Sequence, residues 1–193
     1  MVAGRPPLTS HSKRAVFLDR DGVLTVPEFR EGRSFAPRSL EAFEIYPDAA
    51  DAVARLRAAG FKVIVVTNQP DVGAGLVDRA VIDEMHARLR AAVAVDDIEV
   101  SYETRAQAAA SGTDRRKPGI GMLTSAANRW HLDLESSYMV GDRASDVEAG
   151  IRAGCKTVFI DLGYASEAAP TEQSATVASV SEAAAWILAD AGK

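Results

Sequence analysis

Apolar residues in this chain gather into short unbroken runs, and between the runs they recur at helical spacing. The run 15–18 (AVFL) ends in Asp19, and the run 62–66 (KVIVV) ends in Thr67 and Asn68. Both read as buried parallel strands that deliver polar residues at their C-terminal ends. Between them Pro47 and Asp48 open a helix whose apolar face is Ala49, Ala52, Val53 and Leu56 and which Gly60 stops. The alternation continues with a predicted helix over 77–93, a strand over 98–102, a helix over 120–130, a strand over 137–140, a helix over 146–153 and a strand over 157–160. A weak strand over 175–180 and a closing helix over 181–190, with Ser181 as its N-cap and Ala183, Trp186 and Ile187 as its core stripe, complete the pattern. Such regular alternation predicts an α/β fold, a central parallel sheet covered by helices on both faces. Right-handed crossovers then send every strand's C-terminal end to one edge, where ligands of such sheets bind.

Composition narrows the picture without changing it. With 193 residues, 47% of them hydrophobic, the chain suits one domain, expected over 15–193 behind a disordered lead-in over 1–14. The net charge of −5 and the lack of a long basic run argue against nucleic acid as partner, while local cationic loops still suit a small anionic ligand. The single cysteine, Cys155, excludes an internal disulfide or thiolate metal cluster and reads as a small buried hydrophobe in a reducing cytoplasm. No stretch approaches the roughly 20 apolar residues of a membrane span, and the first fourteen lack the apolar core of a signal peptide. Monomer and homodimer both stay open.

The polar residues that follow the strands carry the chemistry. Four segments converge by topology: DRDGV at 19–23, TNQ at 67–69, RRKPG at 115–119 and GDRASD at 141–146. A phosphate ester repels a carboxylate nucleophile unless a divalent cation and fixed donors neutralise the charge, so acids and bases must stand together. Asp19 is placed to attack phosphorus and form an acyl phosphate. Asp21 shares its face of the extended chain, and Gly22 lets the backbone curl around the same centre.

In this order, DxD, T, K and GDxxxD resemble the haloacid dehalogenase (HAD) superfamily of phosphohydrolases, over roughly 15–164. The resemblance implies a Rossmann-like three-layer sandwich and a phosphatase working through an aspartyl-phosphate on Asp19. It implies that Asp21 protonates the leaving oxygen and then activates water. Magnesium would be held by Asp19, the main-chain carbonyl of Asp21, and Asp142, with Asp146 orienting the metal or lysine surroundings; helix N-capping is the rival role for Asp146. Thr67 and Asn68 would meet phosphate oxygens, and Lys117 would balance the transition-state charge.

The spellings look most like the branch holding histidinol-phosphate phosphatases and D-glycero-D-manno-heptose 1,7-bisphosphate phosphatases. Only 26 residues separate Asp21 from Asp48 and 13 separate Glu103 from Lys117, too few for a helical cap domain, so a capless enzyme is expected. Loop arginines would then select the substrate: Arg30, Arg33 and Arg38 after the first motif, Arg115 and Arg116 before the lysine. A solvated surface is the competing role for each. Because an arginine just before the lysine resembles the heptose branch, a sugar bisphosphate is favoured over histidinol phosphate or another sugar or polyol phosphate. Members of that branch commonly carry a zinc loop of three cysteines and a histidine before the lysine. Here that region reads SYETRAQAAASGTDRRKPG, with neither residue. Magnesium without structural zinc is therefore expected, and a helical turn over 106–112 would replace the metal clip. A non-catalytic phosphometabolite-binding protein would be expected to have lost the acids that are present here. A phosphomutase would need the cap that does not fit.

Overall fold

The computed structural model describes residues 13–30, 33–164 and 168–192, with the side chains of Arg30 and Arg33 outside the description. Strands β1 (Ala15–Leu18), β4 (Lys62–Asn68), β5 (Asp97–Ser101), β6 (Tyr138–Gly141), β7 (Lys156–Ile160) and β8 (Ala175–Val177) form one sheet in the order β5-β4-β1-β6-β7-β8. Every pair in it is parallel. The order reverses at β1, which lies between β4 and β6, so the crevice at the switch point opens above the end of β1.

Strand alternation sends β1 side chains to two cores. Val16 and Leu18 join α1 (Ala49–Ala58), α3 (Arg79–Ala92) and α7 (Val180–Ala191) on one face. Ala15 and Phe17 meet Met122, Leu123 and Ala126 of α5 (Gly121–Trp130) on the other. Helix α6 (Ala144–Ala153) covers that second face beside β6 and β7, which completes the expected three layers.

Several expectations need correction. Residues 1–12 of the expected lead-in lie outside the described residues, but Lys13 pairs with Leu132 and the Arg14 carbonyl accepts from Lys62 N at 2.9 Å, so 13–14 extend the sheet rather than dangle. The helix expected over 77–93 begins at Arg79, preceded by a short helix α2 (Pro70–Gly73). A small antiparallel hairpin, β2 (Glu28–Arg30) and β3 (Arg33–Phe35), stands over the sheet edge in the first gap. Its strands are three residues each, too short for a periodicity to register. Helix α7 is capped by Ser179, whose Oγ accepts from Glu182 N at 3.2 Å, because the helix starts one residue before Ser181. The expected turn in 106–112 is α4 (Arg105–Ser111), with a reciprocal Thr104–Gln107 cap and Gly112 at its end.

Gly150, in the middle of α6, shows how tightly that layer packs: a Cβ there would come within 2.5 Å of Thr157 Cγ2 and 2.7 Å of Met139 Cβ. Alanine improves helix propensity by about 1 kcal/mol, but overpacking a rigid core costs about 1–3 kcal/mol. Gly150→Ala is therefore expected to lower the stability measured by urea denaturation, by about 1 kcal/mol net. Unchanged or higher stability would show that α6 is free to move off the sheet.

Candidate active site

The end of β1 places Asp19 at the crevice, where its amide still pairs with Val140 O of β6 at 2.9 Å. Its Oδ1 accepts from Arg20 N at 2.7 Å and lies 3.0 Å from Lys117 Nζ. Lys117 is buried, and its ammonium has three partners for three donors: Asp19, Asp146 Oδ1 at 2.6 Å and Val66 O at 2.7 Å. Burial works against its charge, but Asp146 and Asp19 outweigh it and raise the Lys117 pKa. Asn68 anchors this lysine from behind. Its carboxamide donates to Lys117 O and accepts from Lys117 N, both at 3.1 Å, so the amide expected to face phosphate is largely committed to the main chain.

Asp142, directly after β6, and Asp146, in the first turn of α6, complete an acidic cluster with Asp19. One carboxylate oxygen from each of the three lies within 4.8 Å of the others. Burial first, then the charges of Asp19 and Asp146, push the Asp142 pKa well above the usual carboxylate range. Burial raises Asp19 to about 6 even though Lys117 opposes it. Asp142 Oδ1 is buried without a hydrogen-bond partner among the described residues. Hard oxygen donors, a surplus of buried negative charge and an orphaned carboxylate oxygen suit a divalent cation such as magnesium. Asp146 also accepts from Arg143 N at 3.1 Å, so it closes the helix end from within α6 rather than from the N-cap position, while holding Lys117.

Asp21 is held by residues that the sequence reading passed over. Arg20, wholly buried, donates Nε to both Asp21 oxygens at 3.0 and 3.1 Å and Nη2 to Oδ2 at 2.9 Å. Gln69 Nε2 adds a bond to Oδ2 at 2.8 Å and Thr25 Oγ1 one to Oδ1 at 3.0 Å. Gln69 Nε2 also donates to Thr67 Oγ1 at 2.8 Å, which ties Thr67 to Asp21. On the far side of Arg20, Nη1 lies 3.2 Å from His86 Nε2. A guanidinium only donates, so His86 is neutral with its proton on Nδ1. Burial, then Arg20, lower its pKa to about 4. His86 shares the buried face of α3 with Ile82, Met85 and Leu89, a spacing visible in the sequence.

A cavity of about 710 Å³ opens above these groups and is lined by Asp19, Asp21, Asn68, Arg116, Lys117 and Asp146. Gly22, Thr67 and Asp142 stand behind this wall. Gly22 has φ +91°, and a Cβ there would sit 2.1 Å from Asp142 Oδ2. Arg105 of α4 and Arg143 also reach the cavity. Burial, then the charges of Arg105 and Arg143, lower the Arg116 pKa, and its Nη1 donates to Glu103 O at 3.0 Å. Arg115 turns away, pairing with Glu99 at 2.5 Å and with Val100 O on the edge strand, and Arg38 pairs with Asp71 at 2.6 Å.

Known proteins resemble this chain in sequence and fold. A HAD-hydrolase-like family model matches residues 114–183. The D-glycero-beta-D-manno-heptose-1,7-bisphosphate 7-phosphatase of Pseudomonas putida is 35% identical over 151 residues, 78% of this chain and 83% of that protein. The enzyme of the same name from Escherichia coli K12 is 30% identical over 74% of this chain and 76% of its own. The crystal structure of the D,D-heptose 1,7-bisphosphate phosphatase from B. bronchiseptica, complexed with magnesium and phosphate, superposes with a TM-score of 0.77 at 26% identity, covering 92% of this chain and 99% of that one. With the fold, the acidic cluster and these relatives in agreement, the chain belongs to the HAD-like hydrolase family and is a phosphatase.

Proposed function

We propose that this phosphatase cleaves a phosphomonoester of a small sugar bisphosphate through an aspartyl-phosphate on Asp19. The observation that carries the proposal is the buried Lys117 bridging Asp19 and Asp146 beside the unpartnered Asp142 Oδ1. Asp19 and Asp142, with the Asp21 carbonyl, would hold magnesium. Bound there, it neutralises phosphate charge so that a carboxylate can approach. The segment 103–117 offers a structural zinc only two carboxylates, Glu103 and Asp114, too few to close a four-ligand site. Thr104, Gln107 and the Gln107 Nε2 bond to Gly73 O at 2.9 Å hold this segment instead.

In the first step an Asp19 oxygen bonds to phosphorus as the bond to the sugar oxygen breaks, and Asp21 gives that oxygen a proton. In the second, Asp21 takes a proton from water, the water oxygen bonds to phosphorus, and Asp19 leaves with inorganic phosphate as the other product. Lys117 offsets the negative charge near Asp19 throughout. Arg20, Gln69 and Thr25 hold the Asp21 carboxyl in place at the cavity. The resemblance to the Pseudomonas and Escherichia enzymes favours D-glycero-D-manno-heptose 1,7-bisphosphate as substrate. Arg116, crowded by Arg105 and Arg143, supports a second anionic group in the cavity.

Asp19→Asn should lose turnover by at least about 1000-fold with an unchanged circular dichroism spectrum, since an amide neither attacks phosphorus nor replaces a carboxylate. Asp21→Asn should lose about 100- to 10,000-fold on a sugar phosphate and less on p-nitrophenyl phosphate, whose leaving group needs no proton. Near-normal rates for Asp19→Asn would refute the proposed nucleophile.

The substrate reading has its own test. Arg116→Ala should cut kcat/KM for the heptose bisphosphate by about 10- to 100-fold, the loss of a charge-assisted bond of about 1.5–3 kcal/mol, and leave p-nitrophenyl phosphate nearly untouched. Equal losses on both, or a higher kcat/KM for histidinol phosphate in the wild type, would displace the sugar bisphosphate.

A further inference from the structure

We infer that Tyr164, in the loop after β7, is a positioning residue for the metal-binding carboxylate of Asp142, fixing one of its oxygens so that the other is presented to the cation. The inference rests on the proposed magnesium centre and adds to it a residue outside the four motifs.

The geometry divides the two oxygens of Asp142. Oδ2 accepts from Tyr164 Oη at 2.6 Å and is pressed against the Cα of Gly22, where a Cβ would stand only 2.1 Å away. Oδ1 is buried and has no hydrogen-bond partner among the described residues. Rotation of the carboxylate would break the Tyr164 bond, bury a second unpaired oxygen and gain nothing, so the orientation is set before any ion arrives. In this pair the phenol hydroxyl supplies the proton and the carboxylate oxygen accepts it.

The tyrosine is itself held in place. Its ring packs on Phe29 of the hairpin, with centroids 5.7 Å apart, and the Arg143 guanidinium lies 5.9 Å over its face. Arg143 Nη2 reaches back to the hairpin through Ser34 O at 2.7 Å and Ser34 Oγ at 2.6 Å. Hairpin, α6 and the loop after β7 thus converge on one hydroxyl. The Tyr164 hydroxyl donates its hydrogen bond, and the ring and its neighbours aim it.

Isothermal titration of the full chain with magnesium chloride separates these parts. Tyr164→Phe keeps the ring and removes the donor, and its magnesium Kd should rise by about 10- to 100-fold, the range for residues that orient metal ligands. Its kcat at saturating magnesium should stay close to wild type, with the loss confined to the magnesium concentration needed for half-activity. Phe29→Ala keeps the hydroxyl and should change Kd less. Circular dichroism and thermal melting check that both variants fold. An unchanged Kd in Tyr164→Phe, or an equal loss in Phe29→Ala, would overturn the role of the hydroxyl. A wild-type chain that takes up no magnesium would instead overturn the metal centre on which this inference rests.

Discussion

A single buried ammonium sets the terms for this site. Three carboxylates within 4.8 Å of one another, all buried, would repel strongly in a medium of low dielectric. Lys117 offsets one of them, and it does so with every donor used: two on carboxylates and one on the Val66 carbonyl of β4. Breaking a buried pair leaves an uncompensated charge, so the lysine cannot be moved without disturbing Asp19 and Asp146 together. Asp142 keeps no such partner for its Oδ1 among the described residues, and burial, then the charges of Asp19 and Asp146, raise its pKa. Three buried carboxylates so close together suit the hard-oxygen coordination of the proposed magnesium ion. Positioning the ammonium takes β1, β4 and β6 side by side, the Asn68 clasp on the Lys117 main chain and the first turn of α6.

The second constraint is on Asp21. The acid and base work proposed for this carboxylate requires that it be held near both substrate and water, and Arg20, Gln69 and Thr25 hold it. Arg20 is wholly buried between that carboxylate and a neutral imidazole, so its charge is satisfied on one side and accommodated on the other. These contacts link the loop after β1 to α3, an element that supplies no residue to the cavity wall.

The motifs at strand ends were legible because parallel topology leaves them little choice of edge: Asp19, Thr67 and Asp142 follow apolar runs that could only be buried strands. Lys117 was legible through its motif rather than through any strand. Tyr164, Arg20 and Gln69 were not, because their roles depend on which neighbour a side chain meets across the fold, and spacing along the chain is silent about that. His86 is different. Its place on the apolar stripe with Ile82, Met85 and Leu89 was a readable sign of burial, and a buried histidine needs a partner. The hairpin was missed because its strands are too short to show alternation, and Ser179 because two serines compete for one cap.

The central claim is a double displacement at phosphorus, and stereochemistry tests it most directly. A substrate whose transferred group is made chiral with sulfur and oxygen isotopes, hydrolysed in isotopically labelled water, yields thiophosphate of readable configuration. Attack by Asp19 followed by attack of water inverts phosphorus twice, so the account predicts net retention. Net inversion would mean that water attacks the ester directly, and that Asp19 is not the nucleophile.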